Sequence, residues 1–209
     1  ETIAVCSCQS TGQACQSIER VYVHESLYDE FVQRVVETAE SLQLNNTNID
    51  SGVIGPFIFA AQADKVKEQI DDAVANGANL QCGGDLVEDG GTWMHPAVLT
   101  DVTHDMLMMR EETFGPVVPI TSFSDESEAL ALANDSDYGL SAAVFAGTLE
   151  EARAFGQQIH AGAISLNDAA LTAMIHEFEH DSFGFSGLGR SRAGYSAYTR
   201  FTREQSIMA

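Results

Sequence analysis

One cysteine of this chain follows a short turn-forming sequence that suits a nucleophile. A Gly-Gln-Ala turn leads into Cys15, and residues 16–20 are predicted to continue as a short helix before a strand at 21–23. A thiol at the start of a helix lies near the positive end of the helix dipole, which lowers its pKa and favours the thiolate. The thiolate is the form that attacks an electrophilic carbon. Spacing alone leaves a second interpretation open, in which Cys15 is a buried core thiol.

Residues 176–180 have the spacing of a zinc site found in hydrolases. On a helix, His176 and His180 would share one face, with Glu177 as the base. Residues 181–184 interrupt such a helix, and no third ligand follows at the usual spacing. We therefore expect a polar surface loop here and no bound metal.

The other three cysteines match neither a disulfide framework nor a zinc site. Cys6 and Cys8 are two residues apart and would share a face on a strand, whereas Cys82 stands alone. We interpret all three as small buried hydrophobic residues in a reducing cytosol, and we expect the protein to be cytoplasmic.

Two helices are predicted in the first half of the chain. The first covers residues 26–42 and starts at a capping-box-like pair, Ser26 and Asp29. The second covers residues 58–75 and stops at Asn76-Gly77. The residues predicted to face inward are Leu27, Phe31, Val35, Ala39 and Leu42 in the first helix, and Val66, Ile70 and Val74 in the second.

Strands and helices alternate in the rest of the chain. The predicted strands cover residues 79–82, 93–99, 117–123, 141–146 and 163–167. The second of these contains a proline, which indicates an edge or a bend. Helices are predicted over 125–134 and after Thr148, which forms a capping box with Glu151. This pattern predicts an α/β fold with an open, mostly parallel twisted sheet and flanking helices, in one compact domain.

The composition restricts the partners. The 209 residues carry a formal net charge of −21, with only two lysines among ten cationic residues. Such acidity argues against nucleic acid and anionic membranes, and no segment is apolar for long enough to span a bilayer. The charge suits either a halophilic protein or a simply acidic one. No glycine-rich phosphate-binding loop lies between a strand and a helix, so the chain shows no complete nucleotide-binding unit of its own.

Several motifs together resemble the NAD(P)-dependent aldehyde dehydrogenase superfamily. In chain order they are Gly12-Gln13-Ala14-Cys15, Gly55-Pro56 with Gln62-Ala63-Asp64-Lys65-Val66, Glu111 to Val117, Ala133-Asn134 with Tyr138 to Ala142, Ala161-Gly162 with Asn167, and Ser186 to Arg190. The resemblance covers nearly the whole chain in the family's order. The first motif and the Glu-Glu-x-Phe-Gly-Pro motif at 111–116 are specific in combination.

This resemblance implies roles for individual residues. Cys15 matches the nucleophile, Glu112 the carboxylate that binds the nicotinamide-side ribose of NAD or NADP, and Phe114 the aromatic residue beside it. The residues implied near the substrate pocket are Asn167, for which we favour a structural role as a strand-end turn residue, and Phe183 and Phe185, which would line the substrate mouth or pack their loop.

The chain also departs from the family pattern. Ser10 stands where an asparagine is common, and Gly184 replaces the usual lysine of a loop near the C-terminus. The chain resembles only the C-terminal, catalytic-domain half. The dinucleotide-binding half and the glutamate base lie upstream of the nucleophile in the family.

Two functions therefore compete. The chain is either the catalytic domain of an enzyme that oxidises an aldehyde to a carboxylic acid, or a fragment that folds and self-associates without turnover. For the complete enzyme we expect a small-molecule aldehyde as substrate, the cofactor-binding half as partner and a homo-oligomer. A zinc hydrolase is a third, less favoured alternative.

Overall fold

A computed structural model describes residues 1–175, 177–189, 196–199, 201–203 and 205–208. The chain divides into two compact units, Glu1–Asp135 and Ser136–Ala209, which we describe separately as unit 1 and unit 2. The expectation of a single catalytic domain stays a prediction. His176 of the candidate zinc motif and Arg190 of the last family motif lie outside the described residues.

Unit 1 alternates helices with short strands. Its helices are α1 (Thr2–Cys8), α2 (Tyr28–Ser41), α3 (Ala60–Ala75), α4 (Leu107–Arg110) and α5 (Glu126–Asn134), with 3₁₀ turns at Gln9–Gly12 and Glu25–Leu27. Its strands are β1 (Val21–His24), β2 (Asn79–Cys82), β3 (Leu86–Glu88), β4 (Thr92–Met94), β5 (Ala97–Thr100) and β6 (Val117–Phe123). Strands β3 and β4 form a separate antiparallel pair.

Four strands form the sheet that positions the candidate nucleophile, in the order β1-β6-β5-β2. Strand β6 pairs in parallel with β1 and with β5, whereas β2 is an antiparallel edge strand. The mostly parallel open sheet predicted from the sequence is confirmed. Because parallel strands run the same way, the loops that enter β1 and β6 lie at the same edge of the sheet.

Helices cover both faces of this sheet. Ala97, Leu99 and Val117 belong to the core beneath α3, whereas the alternate residues Val98 and Val118 belong to the core beneath α1 and α2. Successive strand residues point to opposite faces, so each strand contributes to both cores. This double burial explains why β5 and β6 are apolar at almost every position.

The first predicted helix begins later than expected. Glu25–Leu27 form a 3₁₀ turn, and α2 starts at Tyr28. His24 caps the turn, since its Nδ1 accepts the backbone N–H of Ser26 at 3.2 Å. The predicted capping box at Ser26 is therefore wrong, and Leu27 is exposed.

The helix predicted over 58–75 is confirmed as α3, with one error in its inward face. Val66 and Ile70 are buried as predicted, but Val74 is 45% exposed and Ala73 is buried in its place. Repeated steps of four residues drift from the helical period of 3.6, so the third inward residue follows three positions after the second. The strand predicted over 93–99 is interrupted at Pro96, which has no N–H to donate to a ladder.

Unit 2 is a smaller α/β arrangement. Its helices are α6 (Leu149–Gly156), α7 (Leu171–Met174) and α8 (Ser196–Thr199), and its strands are β7 (Tyr138–Gly139), β8 (Ser141–Val144), β9 (Ala163–Leu166) and β10 (Phe183–Gly184). Strands β8 and β9 are parallel, and β10 is antiparallel to β7. The capping box of Thr148 and Glu151 is confirmed at the start of α6. Within the described part of the chain, no helix has the length and apolar character needed to cross a membrane.

Candidate active site

The cysteine loop, residues 9–18, follows an unusual backbone path. Ser10, Thr11 and Gly12 have φ values of 55°, 60° and 66°, so three successive residues adopt the left-handed conformation. Cys15 is exposed in the turn that follows, in which the Ser17 N–H donates to the Ala14 carbonyl at 2.9 Å. The strain of non-glycine residues in this region marks a loop whose surroundings fix its shape.

The short helix predicted over 16–20 is wrong. One turn follows Cys15, and the chain then runs without helical structure into β1 at Val21. Glu19 must reach a distant loop from this segment, and only a few residues separate Cys15 from the strand. Cys15 therefore does not lie at the start of a helix, and the helix dipole expected beside it is absent from residues 15–20.

Two side chains fix the cysteine loop to residues 55–58. Thr11 is buried, and its hydroxyl donates to the Gly55 carbonyl at 2.9 Å. The Gln13 Oε1 accepts the Ile58 N–H at 2.9 Å, and the Gln13 Nε2 donates to the Pro56 carbonyl at 3.5 Å. These bonds use backbone groups as partners, so they define the path of both segments.

The glutamate loop, residues 111–116, contains the candidate cofactor-binding residues. Glu112 is exposed, and its backbone carbonyl accepts from the Gln69 Nε2 at 3.4 Å. Phe114 is half-buried with φ of +48°. The Gln62 Nε2 donates to the Thr113 carbonyl at 2.7 Å. Side chains of α3 therefore hold the loop backbone and leave the Glu112 carboxylate free to face solvent.

The two loops touch through their glycines. A Cβ added to Gly12 would lie 2.0 Å from the carbonyl oxygen of Gly115, and one added to Gly115 would lie 2.6 Å from the Val66 side chain. Neither distance is possible for a real side chain. The structure thus brings together the two motifs that the sequence identified, at a separation that only glycine permits.

A residue that the sequence analysis did not select joins the two loops. The Glu19 Oε1 accepts the backbone N–H groups of Thr113 and Phe114, each at 2.9 Å. Burial raises the pKa of Glu19, the two N–H donors oppose the shift, and the negative charge of Glu112 adds to it. A carboxylate that lies just before a buried strand, between the apolar Ile18 and Val21, is the sequence signal that could have identified it.

The four thiols differ in exposure. Cys8 is fully buried, and burial raises the pKa of its thiol to about 12. Cys82 is half-buried, and burial with the nearby Glu40 raises its thiol pKa as well. Cys6 is half-buried within helix α1, where it and Cys8 do not share a face as they would on a strand. Cys15 is the exposed thiol of the four.

The remaining candidates lie in unit 2. Asn167 follows β9 with φ of +52°, and its Oδ1 accepts the Ala146 N–H at 2.8 Å. This geometry accounts for Asn167 as a turn residue; its place in a substrate pocket stays a prediction. Phe183 is 43% exposed and Phe185 is 78% exposed, with the Phe185 ring set edge-on to Tyr138.

The glycine that replaces the family's usual lysine has a local explanation. Gly184 has φ of +57°, and a Cβ there would lie 2.0 Å from the Asp137 carbonyl oxygen. No other residue fits this backbone without a shift of the strand pair β7–β10. The local backbone of unit 2 therefore accounts for a glycine at position 184.

The zinc motif at 176–180 stays untested, because His176 is outside the described residues. Among the described residues, no group of three or more His, Cys, Asp or Glu side chains could hold a metal ion.

Comparison with known proteins defines the class. The model of the aldehyde dehydrogenase family matches residues 1–207. The chain therefore belongs to the aldehyde dehydrogenase family, as the motifs indicated.

Individual relatives agree with this assignment. A betaine aldehyde dehydrogenase of Brucella anthropi is 37% identical over 95% of the chain and 41% of its own length. The solved structure of a putative aldehyde dehydrogenase PutA from Anabaena variabilis is 50% identical, with a TM-score of 0.95 over 98% of this chain and 44% of that one. A 3,6-anhydro-L-galactose dehydrogenase in complex with NADP is 30% identical, with a TM-score of 0.85 over 93% of this chain and 41% of that one. The chain thus spans less than half the length of these relatives.

Proposed function

We propose that this chain forms the catalytic part of an NAD(P)-dependent aldehyde dehydrogenase with Cys15 as the nucleophile. The observation that carries the proposal is the contact of the cysteine loop with the glutamate loop at Gly12 and Gly115. It joins an exposed thiol to a segment whose exposed Glu112 and half-buried Phe114 suit a cofactor.

The reaction begins at the Cys15 sulfur. The thiolate attacks the aldehyde carbon, and the carbonyl oxygen becomes the oxyanion of a thiohemiacetal. A nicotinamide cofactor, when bound, would accept the hydride that leaves the thiohemiacetal carbon, and Cys15 would then hold the acyl group as a thioester. Attack by water releases the carboxylic acid and regenerates the thiol. We assign the base for this last step to no residue of this chain.

Glu112 and Phe114 are the residues that would hold the cofactor. A carboxylate can accept hydrogen bonds from both hydroxyls of a ribose, and a half-buried aromatic ring can support a flat ring beside it. Both residues fit this role chemically, since Glu112 is exposed and Phe114 is half-buried. The choice between NAD and NADP is left open.

The motif order supports a position for the chain within the complete enzyme. The motifs from Cys15 to Gly189 follow the order of the family's C-terminal, catalytic half. We propose that the cofactor-binding half is the partner of this chain and that the complete enzyme is a homo-oligomer.

The proposal is tested by Cys15→Ser in the full-length protein that carries this chain, with Cys82→Ser as the matched control. Cys15→Ser should lower aldehyde-dependent NAD(P)H formation by at least ~10³-fold, since the nucleophile is lost. The same variant should form no covalent acyl adduct at residue 15 by mass spectrometry. Cys82→Ser should retain aldehyde-dependent NAD(P)H formation and the acyl adduct at residue 15. Turnover by Cys15→Ser within tenfold of the wild type would overturn the proposal, and an inactive wild type that self-associates would favour the non-catalytic alternative.

A further inference from the structure

We propose that Glu19 is a positioning residue that sets the place of the cofactor-binding loop relative to the nucleophile. The inference rests on the proposed function, because it concerns Glu112 and Phe114 as cofactor-binding residues. It assigns a role to a side chain outside the motif residues themselves.

The first argument is the shape of the bond pair. One oxygen of Glu19 accepts two consecutive backbone N–H groups, those of Thr113 and Phe114, at equal distances of 2.9 Å. Consecutive N–H groups converge on one acceptor when the backbone takes a left-handed turn, and Phe114 has φ of +48°. Such a concavity binds anions. Glu19 therefore occupies a ready-made anion site formed by the glutamate loop.

The second argument is where the bonds act. They hold the two peptide groups on either side of Thr113, which link Glu112 to Phe114, so they fix the direction in which the Glu112 and Phe114 side chains leave the loop. Glu19 is four residues after Cys15, which lies in the turn at 14–17. A shift of the Glu19 carboxylate therefore moves the glutamate loop relative to the cysteine loop.

The third argument is chemical. Burial disfavours the ionised carboxylate of Glu19 and the charge of Glu112 adds to this, whereas the two N–H donors and the charge of Arg20 offset only part of it, so the pKa of Glu19 is raised. A glutamate on the exposed surface would ionise without this desolvation cost. The bonds from Glu19 to Thr113 and Phe114 therefore form in spite of an electrostatic penalty. A carboxylate only accepts hydrogen bonds, as the two N–H groups require, whereas an amide would bring two further donors into the same half-buried space.

Two variants of the full-length protein separate the contributions of the charge and of the acceptor. Glu19→Leu removes the acceptor of the Thr113 and Phe114 N–H groups. Glu19→Gln keeps an oxygen acceptor but removes the charge. Glu25→Gln, at an exposed position nearby in sequence, is the matched control. The measurements are the dissociation constant of NAD(P)H by fluorescence titration, the KM values of cofactor and aldehyde, and the rate of Cys15 alkylation by iodoacetamide without cofactor.

Glu19→Leu should weaken NAD(P)H binding about tenfold, which corresponds to ~1.4 kcal/mol, and Glu19→Gln about two- to threefold. The KM of the cofactor should rise in parallel, while the aldehyde KM and the alkylation rate stay within twofold of the wild type. If Glu19→Leu fails to fold, the two- to threefold effect of Glu19→Gln decides. Unchanged cofactor binding in the folded variants, or an equal loss of Cys15 alkylation, would overturn the inference.

The failure of this inference is distinguishable from failure of the proposed function. If Cys15→Ser abolishes turnover and both Glu19 variants bind cofactor as the wild type does, only the role of Glu19 is rejected. If the wild-type protein binds no NAD(P)H, the proposed function fails and the role of Glu19 falls with it.

Discussion

The candidate residues of unit 1 and unit 2 are held in different ways. In unit 1, the Thr11 side chain of the cysteine loop bonds to the backbone of the distant Gly55, and the side chains of Gln62 and Glu19 bond to the backbone of the glutamate loop. In unit 2, Phe183 and Phe185 are exposed, and Asn167 bonds to the backbone of the neighbouring strand segment at Val144 and Ala146. A loop held by buried partners has one conformation, whereas exposed aromatic side chains can change conformation at a small cost in free energy. Unit 1 thus suits chemistry that requires fixed geometry, and the 183–185 loop suits contacts that vary between relatives.

The largest effect is expected where the two loops of unit 1 touch. Gly12→Ala places a methyl group against the Gly115 carbonyl in a left-handed position, and should lower the free energy of unfolding by ~3 kcal/mol or more. Gly90→Ala is the matched control, because Gly90 has a similar φ of +73° with open space around it, and should lose ~1 kcal/mol. Urea unfolding measures both. Equal decreases in the free energy of unfolding would contradict the close contact between Gly12 and the Gly115 carbonyl.

Phe185→Ala should have a much smaller effect on stability. The side chain is 78% exposed and contacts the ring of Tyr138 edge-on, so the free energy of unfolding should change by less than ~1 kcal/mol. Substrate preference should change more than stability, as seen in kcat/KM across a series of short and aromatic aldehydes. A loss as large as that of Gly12→Ala would show that the loop of unit 2 is as tightly held as those of unit 1.

The pH dependence of stability reports on Glu19. Because its pKa is raised in the fold, the native state binds more protons than the unfolded state in the range just above 4.5, the ordinary value for glutamate. The stabilising contribution is present below that pH and is lost as the pH rises through the folded pKa.

Glu19→Gln removes this titration. The melting temperature of the wild type minus that of Glu19→Gln should therefore fall as the pH rises from 4.5, while contributions from other carboxylates cancel in the difference. A difference in melting temperature that stays constant at all pH values would contradict a buried Glu19 with a raised pKa.

The smallest expected effect concerns salt, and it also separates the units. Unit 1 holds 23 acidic and 5 basic residues, and unit 2 holds 8 acidic and 5 basic residues. Repulsion is therefore concentrated in unit 1, and raising sodium chloride from 0.01 M to 1 M shortens the Debye length from ~30 Å to ~3 Å. Hydrogen exchange should slow more in residues 1–135 than in residues 136–209.

A sulfate series at matched ionic strength controls for stronger burial of apolar surface. If sodium chloride slows hydrogen exchange equally in the two units, or does not slow it at all, the simply acidic interpretation is favoured over the halophilic one.

The sequence predicted the elements with strong periodicity and missed the contacts between distant segments. Strand β6 was found from its apolar, β-branched run, and α6 from the capping box of Thr148 and Glu151. The bond from Glu19 to Thr113 spans 94 positions and leaves no local pattern. The division after Asp135 was also hidden, because the polar turn there looks like any link between a helix and a strand.

For the candidate site, residue types were easier to predict than their surroundings. Cys15 and Glu112 were identified from motifs that resemble the family, and the structure places their loops in contact. The helix expected after Cys15 was wrong because local propensity cannot anticipate that Glu19 must reach the glutamate loop. Tertiary contacts decide such short segments.

Selective alkylation shows whether Cys15 is the reactive thiol of this protein. The full-length protein is treated with substoichiometric iodoacetamide at pH 7.5, and peptide mapping is compared with the remaining turnover. We predict that Cys15 is labelled first, in proportion to the loss of activity, and that the buried Cys8 is labelled last. Labelling of Cys6 or Cys82 ahead of Cys15, or full turnover after Cys15 is modified, would contradict the account.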